Sequence, residues 1–85
     1  MMATLIRQPT TYGDLVREGR AMLADAGLAN AAQEAQWLLE QALQTTGLRL
    51  RLESDRPVSA EQGDLARLLL MCRASGEPLQ YLLGT

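Results

Sequence analysis

Residue types that most often do chemistry are few in this sequence, and they are scattered. Of the 85 residues, ten are Asp or Glu, one is Cys and none is His. A chain without histidine lacks the commonest general base and the commonest metal ligand. Asp14 and Glu18 are the carboxylates whose spacing comes nearest to an acid–base pair, but side chains four residues apart on a helix usually form a solvated face. The sequence therefore predicts no catalytic residue and no metal site.

The single thiol, Cys72, also lacks the setting of a nucleophile. It follows Leu65, Leu68 and Leu69 at helical spacing, which indicates a small apolar side chain in the core. Reactive thiols instead need an electropositive, partly open site. One cysteine excludes an internal disulfide and suits a reducing compartment, so we expect a cytoplasmic protein. The sequence has neither a Gly-x-Gly-x-x-Gly nor a Walker motif, and it predicts no cofactor-binding residue in this chain.

Charge argues against nucleic acid and membrane partners. The net charge is −2, whereas a nucleic-acid-binding domain normally has a concentrated positive surface. Arg49, Arg51 and Arg56 form the densest basic cluster, but Glu53 and Asp55 interleave with it and no aromatic residue is near for base stacking. We interpret this cluster as a solvated face. No apolar run approaches the ~18 residues that span a bilayer.

Four to five short helices are predicted to position these residues. Residues 1–10 have no clear period and form a lead-in, with Leu5 and Ile6 resting on the core. Thr11 and Asp14 have the spacing of a capping box, which begins the first helix. Its apolar stripe consists of Leu15, Val16, Gly19, Met22, Leu23 and Ala26. Gly19 lies within that stripe, which favours a close approach by another helix, and Gly27 is placed to end the helix in a left-handed conformation.

A second helix is predicted to be the central one. Asn30, with Gln33 three residues later, has the pattern of a helix cap, and Gly47 is expected to end the helix. Its apolar stripe consists of Ala31, Ala35, Leu38, Leu39, Ala42 and Leu43. Trp37 lies nearly opposite this stripe. An exposed tryptophan is uncommon, so we expect other helices of the same domain to cover it.

The rest of the chain completes an all-α bundle that forms one domain over residues 11–85. Residues 48–52 alternate like a strand, but no second strand exists to pair with them, so a short helical turn or an extended connector is expected. Ser59 and Gln62 form another capping box, which begins a helix through about Ala74. Its expected core stripe is Leu65, Leu68, Leu69 and Cys72. Leu70 and Met71 fall outside this stripe and, with Trp37, indicate a second apolar surface.

The run from Gly76 to Gly84, Gly-Glu-Pro-Leu-Gln-Tyr-Leu-Leu-Gly, carries the most information. It consists of a glycine break, a proline-initiated helical turn with an apolar face, and a second glycine break. It closely resembles the Gly-Glu-Pro-(apolar)-x-Tyr-Leu-x-Gly segment of the HemK/PrmC family, S-adenosylmethionine-dependent methyltransferases that modify a glutamine of peptide-chain release factors. Arg73 completes the family's Arg-x-x-Gly-Glu-Pro pattern. Residues 34–39 resemble its Asp-Ala-Glu-(apolar)-Leu-Leu helix, with Glu34 and Gln36 in place of Asp and Glu.

The resemblance implies the N-terminal helical domain of such an enzyme, with the Rossmann-like catalytic domain lying beyond Thr85. The family's cofactor-binding glycines and Asn-Pro-Pro-Tyr motif are missing here, so the chain alone should be inactive and should contribute substrate binding. S-adenosylmethionine would bind the parent enzyme, and the partners would be a release factor and the chain's own catalytic domain. The candidate contacts with either partner are Arg73, Glu77, Tyr81 and Leu82. The alternatives are a sister methyltransferase that modifies a ribosomal protein, and a freestanding helical adaptor.

Overall fold

Five helices account for most of the computed structural model, which describes residues 9–84. In chain order they are α1 (Tyr12–Asp25), α2 (Ala31–Leu43), α3 (Gly47–Leu52), α4 (Ala60–Ala74) and α5 (Leu79–Leu82). The described residues contain no β-strand, only an isolated bridge between Thr11 and Pro57. The predicted all-α class is confirmed. Among residues 9–84, no helix combines the length and apolarity needed to cross a lipid bilayer. The expected packing of Leu5 and Ile6 lies outside the described residues.

The core lies where α1, α2 and α4 pack against one another. Its largest wholly buried side chains are leucines, namely Leu15, Leu23, Leu38, Leu39 and Leu70. The predicted stripes of α1 and α2 supply four of these five. The α2 stripe is confirmed, and the α1 stripe is confirmed except for Ala26, which is exposed just beyond the end of the helix. Burial of these side chains, rather than helix propensity, holds helices of this length in place.

Gly19 lets the three long helices come close together. A Cβ at this position would lie 3.1 Å from Leu70 Cδ2 and 3.2 Å from Ala35 Cβ. These contacts come from α4 and α2, so one glycine of α1 faces both neighbouring helices. The predicted close approach at Gly19 is confirmed.

Side-chain caps begin most of the helices. The capping boxes of Thr11 with Asp14 and of Ser59 with Gln62 are both present, as predicted. Thr46 caps α3 by accepting from the Arg49 backbone N–H. The expected cap at Asn30 is wrong, because its side chain makes no capping hydrogen bond. Asn30 has φ −107° and ψ 41°, outside the extended conformation that a capping residue usually adopts.

The end of α2 differs from the prediction. Gln44, with φ +53°, is the left-handed residue that ends this helix, and Gly47 begins α3 instead. A Cβ at Gly47 would overlap the side-chain amide of Gln36, so any larger residue here would displace that flexible side chain. The helical interpretation of residues 48–52 is confirmed, since they lie within α3. Gly27, with φ +87°, ends α1 as expected.

The buried face of α4 is not the one that its leucines predicted. Leu65 and Leu68 are 45% and 55% exposed, while Ala66 and Leu70 are wholly buried. The two other members of the expected core stripe, Leu69 and Cys72, are half-buried. The helix has two apolar faces, and the one with the smaller side chains packs inward because α1 and α2 approach it closely. Counting leucines therefore selected the wrong face.

A backbone ladder joins the start of α1 to the connection between α3 and α4. The Tyr12 and Gly13 N–H groups donate to the carbonyls of Arg56 and Ser54, both at 2.9 Å, and the Val58 N–H donates to the Thr10 carbonyl at 2.9 Å. The Arg56 guanidinium lies over the Tyr12 ring, 5.8 Å from its centroid. The connection is thereby fixed against the bundle.

Candidate interaction surface at the end of the bundle

Arg73, in the last turn of α4, reaches across to the first turn of α2. Its Nε donates to Glu34 Oε1 at 2.6 Å and its Nη2 donates to Oε2 at 3.4 Å, which makes a two-pronged ion pair. The two side chains are only 19% and 12% exposed. The hydrogen bond to Glu34 raises the pKa of Arg73 above its ordinary value. The pair links the ends of two helices far apart in the sequence.

The turn after α4 sets up the short last helix. Gly76, with φ +112°, takes the left-handed position of a Schellman motif. Its N–H donates to the Arg73 carbonyl at 3.0 Å, and the Glu77 N–H donates to the Cys72 carbonyl at 3.1 Å. Arg73 Nη1 also donates to the Glu77 carbonyl at 3.0 Å. The chain then enters α5 through Pro78, as the sequence predicts.

The candidate contact residues lie together around this turn, but only some are accessible. Tyr81 is 70% exposed and Glu77 is also exposed. Leu82 packs against the core, and Arg73 is held by Glu34. Glu77 and Tyr81 therefore offer atoms that a partner could reach, whereas Arg73 and Leu82 hold the segment to the bundle. Their contact with a partner stays a prediction.

An open groove lies between the end of α2 and α5. Its volume is about 550 Å³, and it is lined by Trp37, Glu40, Gln41, Gln44, Thr45, Leu79 and Leu83. Trp37 is 42% exposed in this groove. The expectation that other helices would cover Trp37 is wrong, because α5 reaches only one side of the groove. The groove combines an indole and two leucines with polar side chains, which is typical of a binding surface.

A second apolar patch lies on the outward side of α4. Met71 is 58% exposed there, and Leu65 and Leu68 lie on the same helix at intervals of three residues. The expected second surface also included Leu70, which is instead wholly buried. The patch is therefore made by the leucines that the sequence assigned to the core.

The basic cluster in α3 and the connection that follows it is exposed and partly paired with Glu53. Arg49, Arg51 and Arg56 are exposed, as a solvated face predicts, and Arg49 and Arg56 pair with Glu53 at 3.7 and 3.0 Å. Metal-binding clusters of three or more His, Cys, Asp or Glu side chains are absent from residues 9–84.

Asp14 and Glu18 do not act as a pair. The Thr11 backbone N–H donates to the Asp14 carboxylate and holds its pKa below the ordinary value. Arg67 donates two hydrogen bonds of 2.9 Å to Glu18 and lowers the pKa of that carboxyl. A general acid at neutral pH needs a raised pKa. Both carboxylates are therefore suited to structural roles.

The sequence profile of the PrmC N-terminal domain family matches residues 14–84, which is nearly the whole chain. This chain belongs to that family. A release factor glutamine methyltransferase from Geobacter sulfurreducens is 42% identical over 66 residues, covering 78% of this chain and 23% of the relative. The chain therefore spans about a quarter of the length of that relative. No solved structure matches at a significant level.

Among residues 9–84 of this PrmC N-terminal domain, the usual frame for a nucleotide-type cofactor such as S-adenosylmethionine is absent. Every described element is a helix, and none offers the glycine-rich turn between strand and helix that commonly holds a nucleotide cofactor. The carboxylate in the groove, Glu40, already accepts from Gln36 Nε2 at 3.2 Å. No step of the chemistry of that cofactor is therefore assigned to residues 9–84.

Sequence reasoning missed two features of this surface. It singled out Arg73 and Glu34 within separate motifs, but periodicity carries no information about which helix ends meet. It also missed the groove, because Trp37 was assigned to a covered position. The exposed tryptophan opposite an apolar stripe was the available signal for that groove.

Proposed function

We propose that the chain is the N-terminal domain of a release factor glutamine methyltransferase and contributes substrate binding rather than chemistry. The observation that carries this proposal is the 42% identity to a protein of that name, together with the family match over residues 14–84. The exposed groove and the accessible Tyr81 support a binding role.

A separate binding domain suits the proposed reaction. The target is a glutamine in a Gly-Gly-Gln loop, and such a tripeptide offers little surface for recognition. A second contact elsewhere on the release factor makes capture of the loop effectively intramolecular, which raises its local concentration. It also allows discrimination against other proteins with similar loops.

The proposal assigns S-adenosylmethionine and the methyl transfer to the catalytic domain of the parent enzyme. It assigns the surface around Glu77 and Tyr81 to contacts with the release factor or with that catalytic domain. It also assigns the protein to the cytoplasm, a compartment that suits the free thiol of Cys72.

The test is a methylation assay with the parent enzyme, a release factor and a ribosomal protein as separate substrates. We expect methyl transfer from S-adenosylmethionine to the glutamine of the release factor. Incorporation into the ribosomal protein alone would favour the sister enzyme. Methylation of neither substrate would contradict the proposal.

The binding role is tested by a matched pair of variants in the same enzyme. Tyr81→Ala removes a side chain that is 70% exposed in α5, and Leu52→Ala removes one that is 74% exposed in α3. We expect Tyr81→Ala to raise KM for the release factor about tenfold with little change in kcat, as loss of one interface aromatic does. Leu52→Ala should leave both constants unchanged. Equal effects of the two substitutions would refute a contact at Tyr81.

A further inference from the structure

We propose that Arg73 is a positioning residue that fixes the direction in which the chain leaves the bundle, and thereby holds the groove beside Trp37 in its observed shape. The proposal concerns the structure of this chain and does not depend on the proposed function. It rests on two groups, the Glu34 carboxylate and the Glu77 carbonyl, that one guanidinium joins with three hydrogen bonds.

The Arg73 side chain connects the turn after α4 to the first turn of α2. The Schellman hydrogen bonds at Gly76 and Glu77 are made to carbonyls of α4 itself, so they shape the turn but do not tie it to α2. The guanidinium instead holds Glu34 of α2 with Nε and Nη2, and holds the Glu77 carbonyl with Nη1. A planar guanidinium holds its donors in a fixed geometry, so it fixes an angle as well as a distance.

The contact between Arg73 and the Glu77 carbonyl affects the groove through α5, which forms part of its lining. Glu77 is followed by Pro78 and then by Leu79, which lines the groove together with Leu83. The helix has four residues, and its own hydrogen bonds give it little independent stability. If the Glu77 carbonyl is released, α5 keeps its apolar contacts but loses the hydrogen bond that ties the residue before Pro78 to Arg73. The wall that it forms opposite Trp37 should then loosen.

The chain contains a fluorescent reporter of the groove and a second ion pair that serves as a control. Trp37 is the only tryptophan in the sequence, so fluorescence reports on this groove alone. Arg67, on the same helix, makes an equally two-pronged pair with Glu18 of α1, with both hydrogen bonds at 2.9 Å. The hydrogen bonds of that pair join α4 to α1 and do not involve α5. Arg67→Met therefore removes a two-pronged but more exposed ion pair from the same helix without touching the proposed anchor, which is the hydrogen bond from Arg73 to the Glu77 carbonyl.

The experiment compares Arg73→Met, Arg73→Met with Glu34→Gln, and Arg67→Met in the 85-residue chain, at a temperature where circular dichroism shows each to be folded. In both Arg73 variants we expect acrylamide quenching of Trp37 to rise about twofold, and the Leu83 amide to exchange about tenfold faster. Arg67→Met should change neither quantity.

The double variant separates positioning from stability. Arg73→Met alone leaves the Glu34 carboxylate buried without its partner, which destabilises the fold. Neutralising Glu34 removes that penalty, so the double variant stays folded while the anchor is still missing. Wild-type quenching and exchange in the double variant would overturn the proposal. An equal rise in the Arg67→Met control would overturn it as well.

Discussion

Thr45 and Thr46 stand side by side between α2 and α3, yet their hydroxyl groups have opposite surroundings. The Thr45 Oγ1 atom is buried and finds no hydrogen-bond partner among residues 9–84. The Thr46 Oγ1 atom accepts from the Arg49 N–H at 3.2 Å and caps α3. A buried hydroxyl without a partner loses its hydration and gains nothing in exchange. The same substitution at the two positions should therefore have opposite effects.

We expect Thr45→Val to raise the free energy of unfolding by about 1 kcal/mol, because it replaces an unpartnered hydroxyl with a methyl group of the same shape. Thr46→Val should lower it by about 1 kcal/mol through loss of the cap. Urea denaturation followed by circular dichroism measures both. A loss of stability in Thr45→Val as large as that in Thr46→Val would contradict this assignment.

Local patterns predicted single residues well where the interaction is itself local. Both capping boxes were predictable, because Thr11 and Ser59 bond to residues three positions away. Asn30 has the same sequence signal, but the backbone leading into α2 has the wrong angles for it. The pairing of Arg73 with Glu34 was out of reach, since it depends on how two helices cross.

At the scale of the element, two helical glycines make a matched test of helix packing. Gly19→Ala would place a methyl group 3.1 Å from Leu70 and 3.2 Å from Ala35, both of which are buried. Gly63→Ala would place one 3.7 Å from Val58, an ordinary contact. Alanine also favours the helix by roughly 0.8–1 kcal/mol at either position.

We expect Gly63→Ala to raise the free energy of unfolding by about 0.5–1 kcal/mol. Gly19→Ala should lower it by about 1–2 kcal/mol, because overpacking outweighs the gain in helix propensity. Thermal unfolding monitored by circular dichroism gives both values. If Gly19→Ala stabilised the fold as much as Gly63→Ala, this result would contradict the assignment of a close helix crossing at Gly19.

The outcome for α4 shows why periodicity predicts a helix more securely than its orientation. The bounds of Ala60–Ala74 were predicted closely, because a capping box marks the start and a glycine follows the end. The inward face of α4 was not predicted correctly, because Leu65 and Leu68 carry more apolar surface than Ala66 does. Helices that cross closely favour small residues at the crossing, and no single-helix pattern reveals where helices cross. The arrangement of the candidate site could not be predicted for the same reason, because it depends on which helix ends meet.

For the whole molecule, Leu38 tests whether the three long helices share one core. Leu38→Ala should lower the free energy of unfolding by about 2–5 kcal/mol, because a wholly buried leucine leaves a cavity when truncated. That loss is a large part of the stability of a small domain. Leu52→Ala, at a position that is 74% exposed, should change stability by less than about 0.5 kcal/mol. Similar denaturation midpoints for the two variants would contradict the assigned core.

Acid should weaken the fold in a way that depends on Glu18. Its pKa is lowered in the folded state by the hydrogen bonds from Arg67, so its stabilising effect is complete above the pKa of the unfolded chain. The effect is lost as pH falls below about 4 and the carboxylate protonates. Because both side chains are about 40% exposed, the pair should contribute only about 0.5–1 kcal/mol.

The check is a double-mutant cycle of Glu18→Gln and Arg67→Met, with the free energy of unfolding measured from pH 7 to acid. Glu18→Gln should flatten the dependence on pH, while Asp14, whose pKa is also lowered, keeps part of the slope. In the Arg67→Met background, Glu18→Gln should flatten the dependence of the free energy of unfolding on pH much less. A slope in Glu18→Gln equal to that of the wild type would show that the pair does not respond to pH.

The backbone ladder between residues 10–13 and 54–58 also constrains how the domain can be engineered. An exposed connection is normally a safe place for an insertion or for new chain ends. Here the Ser54 and Arg56 carbonyls accept from the first turn of α1, so lengthening this connection would pull on a helix that it does not adjoin in sequence. Between α1 and α2 the backbone hydrogen bonds of the described residues are all local, so exposed Ala29 in that connection is the better position for a permutation or an insertion.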